Sequence, residues 1–403
     1  MQRRPNLFNL DCPDFVADPY PFYGELRRND PVWQPAPGIY FFSRHRDVTD
    51  ALECPQLGHD PARMFRWVHG NGALDREVFR NACLSMMVSN GKPHHQLRSL
   101  VARAYRRALH AIPLDTVIQL VVDELLDEAA TGRELDVIAH LARPLPVRLI
   151  CELLGVPREE QHRFLHAQVL ADELFLLSRM SHKQVADEEE RFAELKDFLT
   201  HLVRKKYEAP SHDMLSFIAD EYFRIRSCTI DEVLANVVLL LRAGTETTHG
   251  LIGNGLLALL RNPDQLALVQ SDVLHLERAI EELLRFDAPV QAVGRVALTD
   301  TSVGDTRLRA ADYALLILGS ANHDPAAFES PDRLNILRDN AKSLAFGGGA
   351  HFCLGHALAK TEAQIALGSL LRRFPTLRLS EDAPPVWERS LLVRRLRELR
   401  ATP

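Results

Sequence analysis

The stretch FGGGAHFCLG, residues 346–355, gives the strongest indication of the fold in this sequence. It surrounds a single cysteine, Cys353, with glycines, which allow the backbone to approach another group closely. Residues 355–374, GHALAKTEAQIALGSLLRRF, carry apolar side chains at helical spacing and predict an amphipathic helix. Cys353 therefore lies just before a helix N-terminus, where amide donors and the helix dipole favour a thiolate. Such a thiolate would be a metal ligand or a nucleophile, and these residues alone leave both roles open.

The composition is that of a globular protein without a strongly basic domain. The 403 residues are 46% hydrophobic and 25% charged, with a formal net charge of -6, which argues against a nucleic-acid-binding protein. The N-terminal residues MQRRPNLFNLDCPDF contain no apolar signal region, and no apolar run reaches about 18 residues. The six cysteines are scattered without disulfide or zinc spacing, which is typical of a reducing compartment. We therefore expect a cytoplasmic protein without a membrane anchor.

The secondary-structure pattern predicts a mainly α protein with a small β-rich region. Helical spacing dominates, whereas strand-like segments are few: PVWQ and IYFFS near the start, RVAL, TRLRAADYALLILGS, and TLRL near the end. The turn residues PAPG between the first two segments predict a hairpin. Because strands come from both ends of the chain and no linker interrupts it, we expect one domain over residues 1–403.

A second motif, LLLRAGTETTHG at residues 239–250, places polar side chains inside a long apolar helix. Threonine hydroxyls there compete for backbone carbonyls and bend a helix. One interpretation is a polar turn that faces solvent. The other is a local opening of the helix, where a proton relay faces a cavity. The apolar flanks VVLLL and LIGNGLLALL indicate burial and favour the second interpretation.

Two further motifs pair charged residues on helix faces. IEELLRF places Glu282 and Arg285 three residues apart, on one face, although an exposed pair of this kind contributes little. KPHHQLRSL places His94 and Arg98 at i and i+4. The latter pair is either part of a solvated basic face or a clamp for anionic groups, since arginine matches carboxylates in bidentate geometry.

Together the four motifs resemble those of the cytochrome P450 superfamily, the haem-thiolate monooxygenases. The cysteine loop of that family has the pattern F-G-x-G-x-H-x-C-x-G, which residues Phe346 to Gly355 match. Its oxygen-activating helix has the pattern [AG]-G-x-[DE]-T-T, which residues Ala243 to Thr248 match. Its E-x-x-R and H-x-x-x-R motifs are matched by the two charged pairs, in the same order along the chain. The resemblance implies the cytochrome P450 fold, with haem between the oxygen-activating helix and the cysteine-loop helix.

The resemblance also implies the cofactor, haem b, with Cys353 as the thiolate ligand of its iron. It implies that His94, Arg98, Arg295 and His351 hold the haem propionates. The complete set of implied haem-contacting residues is His94, Arg98, Ala243, Gly244, Arg295, Phe346, Gly347, His351 and Gly355. Glu282 and Arg285 would form a buried structural pair, with Arg333 as its third member.

The implied activity is insertion of one oxygen atom from O2 into a lipophilic small molecule, with or without a carboxylate, by hydroxylation or epoxidation, in bacterial biosynthesis of specialised metabolites. Thr247 and Glu246 would deliver protons. Electrons would come from a separate ferredoxin or flavodoxin with its reductase, and three basic residues suit such an acidic partner: Arg103, Arg106 and Arg107.

The substrate pocket is expected to be mainly apolar. Its predicted walls are the segments from residue 63 to residue 90, residues 167–180 and PVQAV at residues 289–293, which includes Val290 and Val293. Arg242 stands just before the oxygen-activating motif, where relatives usually carry an apolar residue. It would either bind an anionic substrate group or pair with Glu246 at i+4.

Two alternatives to a monooxygenase remain at this point. One is a haem-thiolate peroxygenase or isomerase, and the other is a non-oxygenating haem protein that binds a ligand or a partner. The intact Glu246–Thr247 pair argues against the first, because those reactions need no proton relay for O2.

Overall fold

The computed structural model describes residues 8–129, 134–161, 181–225, 228–338 and 343–403. The predicted pocket wall at residues 167–180 lies outside these ranges. Within them, no helix is both long and apolar enough to cross a membrane.

Helices dominate the described chain, as the sequence predicts. They are α1 Pro13–Ala17, α2 Tyr20–Asn29, α3 His45–Glu53, α4 Pro61–His69, α5 Glu77–Ala82, α6 Gly91–Ala111, α7 Leu114–Ala129, α8 Pro144–Leu154, α9 His182–Glu208, α10 Met214–Asp220, α11 Ile230–Arg261, α12 Pro263–Ser271, α13 Val273–Phe286, α14 Leu318–Ala321 and α15 His356–Arg373. Short 3₁₀ turns occur at Asn71–Asp75, Arg158–Glu160 and Gly349–His351, and π-helical turns at Ile138–Ala142 and Glu221–Ile225.

The strands form small sheets. They are β1 Val32–Ala36, β2 Ile39–Phe42, β3 Leu57–Gly58, β4 Leu135–Asp136, β5 Val293–Ala297, β6 Thr301–Val303, β7 Thr306–Leu308, β8 Tyr313–Leu316, β9 Arg378–Leu379, β10 Val386–Trp387, β11 Leu396–Glu398 and β12 Arg400–Thr402. The main sheet has the order β1-β2-β8-β5-β3, and β4-β12-β9, β10-β11 and β6-β7 form the others. The predicted hairpin is confirmed, since β1 pairs with β2 in antiparallel register.

The Cα positions cluster into two compact units, each made of separate chain segments. The first unit comprises the described residues of Met1–Leu57, Gln119–Leu145 and Glu246–Pro403, and the second those of Gly58–Ile118 and Pro146–Thr245. A single domain over residues 1–403 therefore stays a prediction.

In the first unit, α3 packs on the main sheet. Phe42, Val48 and Leu316 are fully buried in this core cluster, which also contains Leu52 near the end of α3. Leu344, just before the cysteine loop, belongs to the same cluster. Burial of these apolar side chains holds the loop against α3.

In the second unit, α4, α5 and α9 share a core. Phe65, Phe79 and Phe192 are buried there, and the Phe65 and Phe79 rings lie 4.9 Å apart between centroids. The helix α9 begins with a capping box, in which Ser181 and Gln184 each accept a backbone hydrogen bond from the other. These local signals and the buried aromatic rings position the helices of this unit.

Candidate functional site

The cysteine loop is closed by its own backbone and requires glycine at two positions. The Cys353 amide donates to the Phe346 carbonyl at 3.1 Å. Gly347 and Gly349 have φ of +69° and +61°, a region that other residues rarely adopt. A Cβ at Gly349 would also lie 2.3 Å from the Leu52 carbonyl oxygen. The glycines predicted from sequence therefore allow both the turn and its close approach to α3.

Cys353 lies at the N-terminal end of α15, an 18-residue helix whose N-cap is Gly355. The ring nitrogen Nδ1 of His356, the first helical residue, lies 3.1 Å from the Cys353 carbonyl oxygen. The rings of Phe346 and Phe352 lie 6.3 Å apart between centroids, and the Phe352 ring lies 5.1 Å from that of His356. A half-buried sulfur at the positive end of a helix, with aromatic rings in the same loop, suits a metal-bound thiolate.

Arg295 on β5 is a buried cation of the first unit. Its side chain is 6% exposed, and burial lowers its pKa to about 10. Its Nη1 donates to the Gly294 carbonyl at 2.8 Å, but no carboxylate of the described residues lies within ion-pair distance. Because a buried cation without a counter-ion is disfavoured, this guanidinium fits a haem propionate. The chain therefore offers both a thiolate and a cation that suit haem.

Glu282 and Arg285 on α13 form a buried, bidentate ion pair. Arg285 donates from Nε and Nη2 to the two carboxylate oxygens at 2.8 and 2.9 Å, and its side chain is fully buried. The structure corrects the predicted third member. Arg338 binds Glu282 through Nε at 3.1 Å, whereas Arg333 contributes its backbone carbonyl to Arg285 at 3.5 Å. The side chain that completes the cluster is thus that of Arg338, which follows the predicted segment PDRL at residues 331–334.

The helix α11 is continuous, contrary to the predicted local opening. It is α-helical from Ile230 to Arg261. The Thr245 hydroxyl donates to the Leu241 carbonyl at 2.9 Å and approaches that of Arg242 at 3.2 Å. Bonding back to the preceding turn satisfies this buried hydroxyl without unwinding the helix.

Glu246, the predicted relay acid, lies in an ion-pair cluster that the sequence analysis missed. Its Oε2 is 3.4 Å from Nη1 of Arg395, and Nε of Arg395 donates to Glu388 at 2.7 Å. One turn along α11, His249 is buried, with Nε2 2.9 Å from the Leu396 carbonyl oxygen. Burial and the nearby Arg395 and Arg143 lower the pKa of His249 to about 3. Because Arg395 is distant in sequence, no motif marks it.

The other predicted residues are distributed between the units. Arg242, Ala243 and Gly244 are in the second unit, on the first part of α11, where a Cβ on Gly244 would contact Ile150 at 3.4 Å. In the first unit, Val293 begins β5 and Val290 forms a β-bridge with Val393. The remaining cysteine-loop residue, His351, ends the 3₁₀ turn Gly349–His351.

The predicted haem clamp and basic residues lie on α6 in the second unit. His94 is buried, and its burial and the neighbouring Arg98 and His95 lower its pKa. Arg103 donates to Glu221 at 3.0 Å, and the guanidinium of Arg107 lies 5.7 Å from the centre of a phenylalanine ring. Part of the basic face is thus engaged within the unit.

Comparison with known proteins identifies the family. A family model described as Cytochrome P450 matches residues 84–398. The 6-deoxyerythronolide B hydroxylase of Saccharopolyspora erythraea is 32% identical over 400 residues, which cover 96% of each chain. Cytochrome P450 monooxygenase PikC of Streptomyces venezuelae is 35% identical over 405 residues, covering 96% of this chain and 91% of PikC. The structure of P450BioI with an acyl carrier protein ligated to hexadec-9Z-enoic acid has a TM-score of 0.87 at 28% identity, covering 97% of this chain and 99% of that chain. These matches confirm the predicted fold.

Proposed function

The chain belongs to the cytochrome P450 family and is a monooxygenase that binds haem b, and from this premise we propose that it oxygenates a lipophilic small molecule bearing a carboxylate. The reaction would insert one oxygen atom from O2 by hydroxylation or epoxidation. The observation that supports this substrate class is the position of Arg242, a half-buried cation on α11. It precedes Glu246, the proposed relay acid, which forms an ion pair with Arg395.

In this proposal Cys353 is the thiolate ligand, positioned by the glycine loop and the N-terminus of α15. Arg295 holds a propionate, and the predicted His94, Arg98 and His351 hold the propionates with it. When bound, the haem supplies O2 activation and oxygen insertion, which no amino-acid side chain provides. The contribution of the protein is therefore orientation, water exclusion and proton delivery.

Proton delivery is assigned to adjacent side chains of α11. Thr247 would donate a hydrogen bond from its hydroxyl, and Glu246 would return a proton to that hydroxyl from the solvent side. Both side chains are partly exposed within the helix, while Thr248 and His249 beside them are buried. The burial pattern thus leaves the two proposed relay residues accessible and the other two packed.

The role of Arg242 follows from its position and from the pairing of Glu246. An arginine on a half-buried helix turn needs anionic or polar partners. Arg395 pairs with Glu246, so Glu246 has a counter-ion other than Arg242. A substrate carboxylate is a suitable ligand for Arg242, since the guanidinium binds carboxylates in bidentate geometry.

Electrons would come from a ferredoxin or flavodoxin with its reductase. Arg106 and Arg107 on α6 suit an acidic partner of this kind, whereas Arg103 is paired with Glu221. The similarity to 6-deoxyerythronolide B hydroxylase supports a role in biosynthesis of specialised metabolites.

The test compares binding of a long-chain fatty acid and its methyl ester to the wild type, Arg242→Leu and Arg261→Leu. Arg261 ends the same helix and is exposed, so its variant controls for loss of one positive charge. The wild type and the control should prefer the acid, and Arg242→Leu should lose that preference by about 2–5 kcal/mol, the cost of removing one partner of a buried charge pair. Equal affinity of the wild type for acid and ester would refute the carboxylate assignment.

A second experiment separates monooxygenation from the alternatives. Product formed with NAD(P)H and surrogate redox proteins is compared with product formed with peroxide alone. A requirement for the reductase supports the proposal, and turnover by peroxide alone would favour the peroxygenase.

A further inference from the structure

Arg395 joins two carboxylates that lie at different depths in the first unit. Its Nη1 lies 3.4 Å from Oε2 of Glu246, and both side chains are 14% exposed. Its Nε lies 2.7 Å from Oε2 of Glu388, whose side chain is 28% exposed. The Glu388 amide also donates to the Arg395 carbonyl at 3.1 Å, so the pairing of the β10–β11 hairpin holds these two residues opposite each other. The cluster therefore extends from α11 toward the surface.

The charges of this cluster suit the temporary storage of one proton. Two carboxylates and one guanidinium carry a net charge of about -1 when both acids are ionised. The guanidinium does not give up its proton, so only the carboxylates can accept one. After one of them is protonated, Arg395 still pairs with the other, and no uncompensated charge is left in a poorly solvated place.

Other charged groups face the same region. His249 lies on α11 one turn beyond Glu246, and Arg143, which follows the π-helical turn Ile138–Ala142, acts on it together with Arg395. Burial lowers the pKa of His249 to about 3, so this imidazole is neutral near neutral pH and does not compete as a proton donor. Arg242 precedes Glu246 by four residues on the same helix and belongs to the second unit.

We propose that Arg395 is a positioning residue that exchanges its ion pair between Glu246 and Glu388 and thereby controls proton delivery to Thr247. This inference rests on the proposed role of Glu246 as the relay acid. A proton from bulk water adds to the Glu246 carboxylate while Arg395 remains paired with Glu388. Glu246 then passes that proton to the Thr247 hydroxyl as the hydroxyl gives its own proton to the oxygen that is being reduced, and the restored carboxylate pairs again with Arg395.

The proposal predicts opposite effects for the two partners of Glu246. Arg395→Gln removes the cation, so Glu246 should accept a proton more readily and the falling limb of the pH–rate profile should move to higher pH, by about one to three pH units. Glu388→Gln removes the second carboxylate, so Arg395 pairs with Glu246 alone and favours its ionised form. The falling limb of the pH–rate profile should then move to lower pH. Arg395→Lys keeps the charge and should restore at least half of the Arg395→Gln shift.

Arg397→Gln is the matched control. Arg397 is exposed on the same hairpin and carries the same charge, two residues beyond Arg395. For each holoenzyme, the experiment records product formed per NAD(P)H consumed against pH. It also records the infrared band of the protonated carboxyl group that Glu246→Gln removes, in the resting enzyme without turnover. The profile and the band should shift together in the Arg395 and Glu388 variants and stay in place in Arg397→Gln.

The outcomes separate this inference from the proposed function. If Glu246→Gln lowers coupling but the Arg395 and Glu388 variants leave the profile and the band in place, Glu246 is a relay acid and Arg395 does not position it. If both variants lower the rate without opposite shifts, the cluster is only structural and the inference is wrong. If Glu246→Gln itself leaves coupling unchanged, the proposed relay fails.

Discussion

Replacement of Glu362 by glutamine should make the protein more stable at neutral and alkaline pH. Glu362 lies on the buried face of α15, the helix that follows Cys353, and its side chain is 2% exposed. Among the described residues, its Oε2 has no hydrogen-bond partner. Burial raises the pKa of this carboxyl from 4.5 to about 8. The folded protein therefore holds Glu362 as the neutral acid at pH 7, whereas the unfolded chain ionises it.

The sign and size of the effect follow from this difference in pKa. Between pH 4.5 and pH 8 the folded state binds more protons than the unfolded state, so stability falls as pH rises. The contribution of Glu362 is fully present below pH 4.5 and is lost by about pH 8. At pH 7 the loss spans roughly 2.5 pH units at about 1.4 kcal/mol each, or ~3 kcal/mol. Glutamine has a similar shape and does not ionise, so it avoids this loss.

The assay is urea unfolding of the holoenzymes, followed by circular dichroism at half-unit steps from pH 5 to pH 8. The difference in free energy of unfolding between Glu362→Gln and wild type should grow with pH and approach ~3 kcal/mol at pH 7. Glu277→Gln on α13, where the side chain is exposed, corrects for loss of one negative charge. A difference that does not change with pH would show that Glu362 is ionised in the folded protein.

Three further predictions concern the site and its support. Thr247→Ala should keep haem and substrate binding but lower the product formed per NAD(P)H consumed, with hydrogen peroxide accounting for the rest; coupling at the wild-type level would remove Thr247 from the relay. Arg285→Leu should lower the free energy of unfolding in urea by about 3–5 kcal/mol, because it leaves Glu282 buried without its bidentate partner. Arg373→Leu, which removes an exposed ion pair, should lower it by about 0–1 kcal/mol. Similar losses in the two variants would contradict the burial argument. His249 has a pKa of about 3 in the fold, below its ordinary 6.5, so its contribution to stability is lost as pH falls from 6.5 toward 3. His249→Gln should reduce that loss by about 1.4 kcal/mol per pH unit. Parallel curves of the free energy of unfolding against pH for variant and wild type would contradict this.

The parts of the site that lie within one short segment could be predicted from the sequence. The glycines of the cysteine loop, the helix after Cys353 and the contact between Glu282 and Arg285 depend on turn geometry or on spacing along one helix. Local geometry is determined within a few residues, so the sequence carries it directly. The resemblance of four such motifs in order was then sufficient to predict the fold and the cofactor.

Contacts between distant segments were decided by the tertiary structure alone. The sequence did not indicate that Arg338 rather than the Arg333 side chain completes the Glu282 cluster, or that Arg395 pairs with Glu246. Each pairing depends on how separate helices and hairpins pack, because a charged side chain binds whichever counter-ion the packing brings within reach. The continuous helix α11 has a local cause instead, since the Thr245 hydroxyl is satisfied by a carbonyl on the preceding turn. Burial of Glu362, and with it the raised pKa, likewise follows from the packing of α15 and not from its sequence.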